Sequence, residues 1–444
     1  MSEHWGIVGG GMLGLTLAHR LAGEGRRITV LEAAPELGGL ASAWRLGDVV
    51  WDRHYHVTLL SDLALRRLLR ELGLEHDMRW RRTRSLFYTD GRLVPMNNAF
   101  DFLRYPSLGM FAKARLAATI LSAARIEDGR PLERIGAAEW LARRSGREAY
   151  ERLWRPLLRA KLGENADLAS AAFIWAVIRR LYAARRSGLK TEMFGYLPGG
   201  YRRILARFQN RLAARDVEIR TSCRASRVEQ QDGRFRVAIG DGEAWFDRVI
   251  VTAPAPVAAE LCRDLAPEER TRLGGVVYQG IVCASLLLRR RLSDSYLTYI
   301  TDETIPFTAV VEMSALVDRA EFSGKHLVYL PRYVLSGDPW LKLSDEEVRA
   351  EFLAGLRRLH PDLRDEDIAA FRVSRAPYVL PIPTLGYSDR LPPMTTSVPG
   401  LALVGSAHIV NGTLNVNETV MLADAAAERL LGEWAAAPRE KVPA

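Results

Sequence analysis

Three glycines near the N-terminus constrain the fold of this chain more than any other feature. Gly9, Gly11 and Gly14 follow a short apolar run and precede a segment of helical period, 13–21. A chain that turns from a strand into a helix beside a pyrophosphate has no room for a Cβ at such positions. The unpaired amides at the helix N-terminus then face the phosphates. The Gly-x-Gly-x-x-Gly spacing therefore predicts a dinucleotide-binding turn.

An acidic residue completes this unit. A second strand is predicted over 27–31, and Glu32 follows it at about the twenty-residue separation from the glycines at which a carboxylate binds the ribose hydroxyls. A carboxylate at this position disfavours a 2′-phosphate. Glycines at this spacing also occur in ordinary turns, but here strand, glycines, helix, strand and acidic residue form one continuous unit. We therefore expect a bound dinucleotide without a 2′-phosphate.

The residues after Glu32 distinguish a flavin site from a nicotinamide site. Gly38 and Gly39, followed by Leu40 and Ser42, resemble the extended dinucleotide motif of the flavin-containing amine oxidase superfamily. That superfamily includes protoporphyrinogen oxidases, phytoene and hydroxysqualene-type desaturases, and UDP-galactopyranose mutases. The resemblance implies that the glycine pair lies beneath the pyrophosphate of FAD. Many members carry arginine where this chain has Leu40, so a cationic phosphate contact must come from elsewhere, and Ser42 remains as a hydroxyl donor.

Later segments extend the resemblance over most of the chain, nearest to bacterial protoporphyrinogen oxidase-like and phytoene desaturase-like proteins. Val228 stands where a valine of the family contacts adenine through its backbone. Gly405 and Ser406 end a predicted strand, and most relatives carry aspartate at the second position to bind the ribityl or phosphate portion. In the superfamily, the helix that begins near Asn417 points its N-terminus at the flavin pyrimidine edge, where negative charge accumulates on reduction. No cysteine follows Cys283, so the resemblance implies non-covalent FAD.

The resemblance implies an α/β fold in which a Rossmann-like FAD-binding domain, with a parallel sheet and a crossover sheet, interleaves with an α+β substrate-binding domain. Residues 1–80, 192–262 and 395–434 are assigned to the first domain. Residues 81–191 and 263–394 are assigned to the second domain, with a helical part over 100–190 and a mixed sheet over 276–332. Residues 435–444 are predicted to form a disordered tail. The predicted cofactor contacts are Gly9, Gly11, Met12, Leu13, Gly14, Glu32, Gly38, Gly39, Leu40, Ser42, Val228, Gly405, Ser406, Asn415, Val416 and Asn417.

Few side chains stand out as candidates for catalysis. The alternation over 51–56 predicts that His54 and His56 lie on one strand face, where they either contact flavin or substrate or form a structural pair. Tyr378, in a proline-bearing loop, either lines the cavity or packs in the core. Amine oxidases of the superfamily usually carry a lysine on the first strand of the substrate sheet, and 276–288 contains none, which counts against amine oxidation. Two histidine nitrogens do not make a metal site, so no metal is predicted.

Composition narrows the range of partners. The net charge of +9 is compatible with nucleic acid or an anionic membrane, but no basic arm with interleaved aromatics is present, so no nucleic acid partner is expected. No window reaches the roughly 18 uninterrupted apolar residues of a membrane span, and we expect a cytoplasmic protein. The segment 102–125 mixes apolar side chains with arginines. Core packing is favoured there over a lipid-binding surface, and peripheral contact with the inner face of the membrane stays open.

Three functions remain compatible with these residues. The first is an FAD-dependent dehydrogenase, oxidase or desaturase that passes hydride from a hydrophobic, isoprenoid or polycyclic, substrate to flavin N5, with oxygen or a quinone as external electron acceptor. The second is a UDP-galactopyranose mutase-like flavoenzyme, which acts on a nucleotide sugar without net redox change. The third is a non-catalytic, FAD-stabilised partner protein. Because the sequence shows one dinucleotide cradle, NADPH is less expected than the substrate as the source of electrons.

Overall fold

The computed structural model describes residues 2–23, 25–97, 99–185, 193–410 and 412–436. The strands within these ranges are β1 Glu3–Val8, β2 Arg26–Leu31, β3 Ala43–Leu46, β4 Val49–Asp52, β5 Thr58–Leu59, β6 Arg79–Arg82, β7 Ser85–Thr89, β8 Arg92–Pro95, β9 Met193–Tyr196, β10 Glu218–Arg220, β11 Ala225–Gln231, β12 Arg234–Ile239, β13 Gly242–Phe246, β14 Arg248–Val251, β15 Tyr278–Leu288, β16 Leu297–Ile300, β17 Ala309–Glu312, β18 His326–Leu335, β19 Ile368–Pro381 and β20 Leu401–Leu403. The α-helices are α1 Met12–Leu21, α2 Leu63–Glu71, α3 Ala99–Arg104, α4 Met110–Ala123, α5 Ala137–Ser145, α6 Arg147–Ala149, α7 Arg155–Leu162, α8 Ala171–Arg185, α9 Gly200–Ala213, α10 Ala255–Leu261, α11 Pro267–Gly274, α12 Asp345–Leu359, α13 Tyr387–Arg390 and α14 Val416–Ala436.

A five-stranded parallel sheet, in the order β10-β2-β1-β14-β20, forms one layer of the molecule. Side chains of β1 and β2 alternate between its two faces. Ile7 and Val30 pack with α1, α2, α9 and α14, whereas Val8 and Leu31 pack with the antiparallel sheet β11-β12-β13. The order reverses between β1 and β14, and such a switch point opens a crevice at the carboxyl ends of the strands. The glycine turn after β1 lies at this crevice.

A seven-stranded mixed sheet, in the order β19-β15-β18-β17-β16-β7-β8, forms the second layer. All residues of β15 are buried because both faces of the sheet are covered. Ile281 and Cys283 pack toward β3 and β4, whereas Val282 and Ala284 pack toward α12. This alternation is the period of two that a strand imposes on its side chains.

The helices α3 to α8 form the third part, with a core that contains the tryptophans of α5 and α8. Trp154 joins this core from a π-helical turn over Tyr150–Trp154, which connects α6 to α7. In the described part of the range predicted to be helical, 100–190, these helices alternate with turns such as 105–109 and 124–129, and 186–190 lies outside the described residues. The C-terminal strand residues of β19, Leu380 and Pro381, tie this part to the mixed sheet, because Leu380 also belongs to the helical core.

The predicted α/β fold is confirmed, with corrections at its edges. The mixed sheet is larger than 276–332, because the hairpin β7-β8 and the long strand β19 pair with its two sides. The boundary predicted at residue 80 falls inside β6, which pairs with β9 in a small sheet completed by β5. Residues 435 and 436 of the tail predicted to be disordered belong to α14, and 437–444 lies outside the described residues.

Candidate functional site

The first glycine turn has the geometry that a phosphate-binding loop requires. Gly9 has a φ of +118°, and a Cβ there would lie 2.3 Å from Thr252 Oγ1. A Cβ on Gly14 would lie 1.9 Å from the carbonyl oxygen of Gly9, so α1 packs against β1 as closely as glycine allows. Leu15 donates the first intrahelical hydrogen bond, to Gly11 O at 3.0 Å. The amides of the first turn, among them those of Met12 and Leu13, therefore have no intrahelical acceptor and point into the crevice.

The second glycine pair lies directly against the first turn. Gly38 N donates to Gly10 O at 2.9 Å, and Gly38 forms an isolated parallel bridge with Gly11. A Cβ on Gly39 would lie 3.5 Å from Gly11 Cα. A Cβ on Gly11 itself would meet nothing within 4 Å. The two glycine segments therefore form one cradle, defined here as residues 9–14 and 38–42, with open space above Gly11.

The carboxylate of Glu32 lies at the edge of this cradle. Its Oε2 accepts a hydrogen bond from Gly10 N at 2.6 Å, and its Oε1 accepts one from Ala34 N at 2.8 Å. Glu32 N donates to Arg220 O at 2.8 Å, which anchors the residue to β10. The carboxylate is thus held at the carboxyl end of β2 by backbone groups, at the position predicted for a ribose contact.

One buried hydroxyl in the cradle has no hydrogen-bond partner in the protein. Ser42 Oγ is buried, and within the described residues it makes no hydrogen bond. A buried unpaired hydroxyl is uncommon and indicates a missing partner. Leu40, where many relatives carry arginine, lies half-buried in the turn Gly39–Ala41. The open space above Gly11 and the unpaired Ser42 hydroxyl together fit a dinucleotide pyrophosphate, and the cradle residues fit FAD.

The remaining predicted contacts of the first domain surround the same crevice. Val228 is buried in the cluster that contains Val8 and Leu31, so β11 lies beside the carboxyl ends of β1 and β2. Gly405 follows β20, and a Cβ there would lie 3.1 Å from Ala253 O. Ser406 Oγ lies 3.2 Å from the hydroxyl of Tyr278, the first residue of β15. The contacts of these residues with FAD stay predictions, since what the structure establishes is that they border one crevice.

The start of α14 is fixed by its own asparagines. Asn415 Oδ1 accepts a hydrogen bond from Glu418 N at 3.1 Å, which caps the helix that begins at Val416. Asn417 Oδ1 accepts from Ala64 N at 3.0 Å and from Leu65 N at 3.1 Å, which caps α2. The side chain of Asn417 is therefore occupied in a structural role. Its predicted cofactor contact stays a prediction, and only the backbone of this residue is left to make one.

The two candidate histidines do not share a strand face, which corrects the sequence-based expectation. β4 ends at Asp52, and 53–57 forms an irregular strap between the two domains. His54 is buried with Nε2 at 3.2 Å from Ser374 Oγ, and His56 stacks on Tyr201 with ring centroids 4.7 Å apart. The two side chains do not follow the alternation of a strand, because each ring packs against a different element. Neither ring belongs to a group of three or more metal-ligating side chains among the described residues.

Burial keeps both imidazoles neutral. Desolvation, assisted by the neighbouring His56 and Arg53, lowers the pKa of His54 to about 3. Desolvation lowers the pKa of His56 to about 4. His56 Nδ1 lies 2.9 Å from the carbonyl oxygen of His54, so Nδ1 carries the hydrogen and Nε2 keeps its lone pair. Both rings are therefore hydrogen-bonding groups rather than cations at neutral pH, and their contact with flavin or substrate stays a prediction.

A chain of hydrogen bonds that the sequence did not reveal runs from the strap into the second domain. Lys161 Nζ donates to Tyr333 Oη at 2.7 Å, and Tyr333 Oη lies 2.8 Å from Tyr55 Oη. Burial raises the pKa of Tyr55 well above its usual value. Gln279, which pairs with Leu380 in the sheet, donates its side-chain amide to Lys161 O. Tyr55, Lys161 and Tyr333 lie more than a hundred positions apart along the chain and meet here, so no local pattern could have predicted their contact.

Apolar side chains that are only partly buried meet where the domains join. Val379 contacts both the helical core and the core under the mixed sheet, and Leu414 contacts both the helical core and the core of the first domain. Val277 packs against the helical core as well, and its carbonyl accepts from Ile382 N at 2.9 Å. We name these three residues of the helical core's edge, Val277, Val379 and Leu414, the apolar seam.

The candidate Tyr378 precedes Val379 in β19 but packs against the core that contains Val8 and Leu31. Tyr378 is partly buried and meets Tyr278 edge-on, with ring centroids 5.6 Å apart. Tyr387, a second tyrosine of the same proline-bearing region, is buried and donates its hydroxyl to Ala407 O at 2.8 Å. Tyr278 and Tyr387 thus hold the loop after β20 in place, and the lining of the substrate cavity by Tyr378 stays a prediction.

Comparisons with known proteins place this arrangement in context. The family described as flavin containing amine oxidoreductase matches residues 13–431. The coproporphyrinogen III oxidase of Mycobacterium tuberculosis is 29% identical over 283 residues, which cover 59% of this chain and 61% of that protein. The 15-cis-phytoene desaturase of Solanum lycopersicum is 21% identical over 387 residues, which cover 80% of this chain and 64% of that protein. The chain thus spans about three fifths of the length of these curated relatives.

One solved structure shows the same fold over nearly the full chain. A protein of Exiguobacterium sp. 255-15, provisionally described as a protoporphyrinogen oxidase, superposes with a TM-score of 0.77 at 22% identity. The superposition covers 98% of this chain and 99% of that one. At this level of identity the likeness concerns the fold, including the parallel sheet, the mixed sheet and the helical part.

Proposed function

The chain belongs to the flavin containing amine oxidoreductase family, with FAD as its cofactor, and we propose that it is an FAD-dependent oxidoreductase that removes hydride from a hydrophobic substrate. The family match confirms the resemblance drawn from the sequence motifs. The substrate class we favour is a reduced, polycyclic tetrapyrrole, with an acyclic isoprenoid second. The names of the curated relatives, a coproporphyrinogen oxidase and a phytoene desaturase, support these two classes.

The observation that carries the proposal is the chemistry of the apolar seam. The wall formed by Val277, Val379 and Leu414 is apolar and only partly buried, which is the lining expected of a site for a hydrophobic molecule. The strand that follows, β15, contains no lysine and is buried throughout. The strand therefore lacks the lysine that amine oxidases of the superfamily usually carry there, whereas the seam offers a hydrocarbon or pyrrole ring apolar surface to bury.

FAD, when bound, supplies a two-electron acceptor for hydride. The cradle holds the phosphates through the first-turn amides of α1, and Glu32 is placed for the ribose. The seam orients a C–H bond of the substrate and excludes water from it. The substrate also loses a proton in a dehydrogenation, and this proton passes to solvent. Burial keeps Tyr55 a neutral phenol, so we assign its hydroxyl, which is linked through Tyr333 to Lys161, to a hydrogen bond that orients the substrate.

The strap and the loop after β20 then act as positioning elements. His54 and His56 are neutral at neutral pH, so they add no charge near the ring of a bound flavin. The N-terminus of α14 directs its positive dipole end toward the crevice, which favours negative charge there. We propose oxygen or a quinone as the external electron acceptor, because the sequence provides a single dinucleotide cradle.

The test is anaerobic mixing of the FAD-loaded protein with candidate donors, followed by the absorbance of the oxidised flavin. We expect bleaching by a detergent-solubilised porphyrinogen or by 15-cis-phytoene, and none by putrescine or another aliphatic amine. The control is Val379→Asp, which places a charge in the seam and leaves the cradle unchanged, so it should retain FAD and lose bleaching.

Two other outcomes identify the alternatives. Isomerisation of UDP-galactopyranose only after reduction of the flavin by dithionite would replace the proposal with a mutase, whose reaction has no net redox change. Retention of oxidised flavin with every donor, and no mutase activity, would indicate a non-catalytic FAD-stabilised protein. Oxidation of an aliphatic amine would contradict the reasoning from the seam directly.

A further inference from the structure

The orientation of helix α4 is the reverse of what a helix on a water-exposed surface requires. Its residues Met110, Phe111 and Leu121 are 64%, 77% and 48% exposed. Its lysine, Lys113, is 6% exposed and donates Nζ to Leu103 O at 2.7 Å. The cation therefore points inward and the large apolar side chains point outward. Core packing, which the sequence favoured for this segment, is wrong for these three residues.

The exposed apolar residues of α4 form one continuous stripe. Met110, Ala114, Ala118 and Leu121 follow one another at steps of four, four and three positions, and Phe111 lies three positions before Ala114, which places all five on one face of the helix. The hydrogen bond from Lys113 brings the end of α3 alongside, where Leu103 is also exposed. We define the α4 outer face by the residues Leu103, Met110, Phe111, Ala114, Ala118 and Leu121. Single exposed apolar residues are ordinary, but a contiguous set of this size indicates an interaction surface.

Arginines border this face. Arg115 lies with Cζ 6.0 Å from the ring centroid of Phe111 and donates to Arg143 O at 2.9 Å. Arg144 donates to Ser122 on the far end of α4 at 3.4 Å, and Arg147 on the adjacent α6 is exposed. The acidic residues of the same border, Glu139 and Glu148, are engaged by Arg143 and by Gly109 N, at 3.3 Å and 2.8 Å. With Arg143 paired to Glu139, the three arginines Arg115, Arg144 and Arg147 stand against one further carboxylate, Glu148.

We propose that the α4 outer face docks the protein on an anionic phospholipid surface, with Met110 and Phe111 inserted among the acyl chains and the bordering arginines at the phosphates. A helix of 14 residues is about 21 Å long at 1.5 Å per residue, so it lies in the plane of the interface. None of the helices within the described ranges is long and apolar enough to cross a bilayer. The contact is therefore on one leaflet only.

Charge distinguishes this partner from a second copy of the chain. In a two-fold dimer the same patch meets itself, so the arginine border of one copy would face the arginine border of the other. Like charges across an interface oppose association. An anionic leaflet complements the same border, and the net charge of +9 adds long-range attraction.

The test is flotation of the FAD-loaded protein with vesicles of phosphatidylcholine and phosphatidylglycerol, and with vesicles of phosphatidylcholine alone. We expect binding to the anionic vesicles that weakens as salt is raised. Because burial of one large apolar side chain is worth roughly tenfold in affinity, Met110→Ser with Phe111→Ser should weaken binding by up to about 100-fold. Arg115→Gln with Arg147→Gln should weaken binding to the anionic vesicles alone.

The matched control is Leu63→Ser, which removes a leucine of 66% exposure on α2, outside the α4 outer face. This variant should bind vesicles as the wild type does. Equal flotation of Met110→Ser/Phe111→Ser and of the wild type would overturn the proposal. A wild-type protein that floats with neither kind of vesicle would overturn it as well. A dimer in sedimentation that Met110→Ser/Phe111→Ser dissociates, without vesicle binding, would assign the face to a second copy. None of these outcomes depends on the reaction proposed for the seam.

Discussion

The substitution Gly11→Ala tests whether the cradle binds the phosphates of FAD, because no contact within the protein itself requires a glycine at this position. A Cβ at Gly11 meets nothing within 4 Å, and its φ of −73° and ψ of 176° are accessible to alanine. Replacement of a glycine N-cap by alanine costs a few tenths to about 1 kcal/mol, and the lower entropy of the unfolded chain returns about as much. We therefore expect the melting temperature of the FAD-free protein to change little.

FAD binding should respond very differently to the same substitution. The added methyl group occupies the space above Gly11 into which the pyrophosphate must come, and it moves the phosphates away from the first-turn amides of α1. Hydrogen bonds to charged groups contribute about 1.5–3 kcal/mol each, so the loss of two amounts to at least about 3 kcal/mol. The dissociation constant should rise by about 100-fold or more. The assay is titration of the apoprotein with FAD, followed by flavin fluorescence.

Two further glycines serve as controls for Gly11→Ala. Gly136 is the N-cap of α5 with a φ of −63° and a ψ of 142°, and a Cβ there also meets nothing within 4 Å. Gly136→Ala should alter neither stability nor FAD binding. Gly14→Ala places a Cβ 1.9 Å from Gly9 O and should destabilise the protein even without FAD. If Gly11→Ala binds FAD with wild-type affinity, the cradle does not hold the phosphates and the reasoning fails.

Three further predictions address other parts of the account. Ser42→Ala removes a buried hydroxyl that has no protein partner in the described chain, so the apoprotein should be as stable as the wild type or more stable. FAD binding should weaken about tenfold in the same titration. Unchanged affinity would show that FAD does not pair with this hydroxyl. Tyr55→Phe should retain FAD and lower the rate constant of flavin bleaching about tenfold in stopped flow, and a wild-type rate would remove Tyr55 from the reaction. Burial raises the pKa of Glu312 from 4.5 to about 7, so its contribution to stability is complete below pH 4.5 and is lost as pH rises to about 7. At about 1.36 kcal/mol per pKa unit, this contribution amounts to at most about 3 kcal/mol. The melting temperature of Glu312→Gln should therefore fall less between about pH 5 and about pH 8 than that of the wild type. Parallel pH profiles of the two proteins would contradict the raised pKa of Glu312.

The parts of the fold that the sequence predicted well are those specified by local patterns. The unit from β1 to β2 was predictable because glycine spacing, helical period and Glu32 all lie within one short segment. The start of α12 is specified just as locally, since Ser344 Oγ accepts from Glu347 N at 3.2 Å in a capping box. Each of these features depends on neighbours in the chain.

The parts that the sequence did not predict depend on contacts between distant segments. The side chain of Asn417 caps α2, which is 352 or more positions away along the chain, and no local pattern indicates that contact. His54 and His56 alternate in the sequence, yet each packs against a different element and the strap is not a strand. The outward orientation of Phe111 is set by how α4 docks on its neighbours. Apolar periodicity locates a helix but does not say which apolar side faces the protein.

A single anaerobic turnover with product analysis shows whether the substrate gives up two hydrogens to the flavin. The FAD-loaded protein is mixed with one equivalent of a porphyrinogen donor, the loss of oxidised flavin is measured, and the donor is recovered for mass spectrometry. The account predicts that each flavin reduced is matched by one product molecule with two fewer hydrogens. A flavin that stays oxidised with every hydrophobic donor, or a product of unchanged mass, would contradict it.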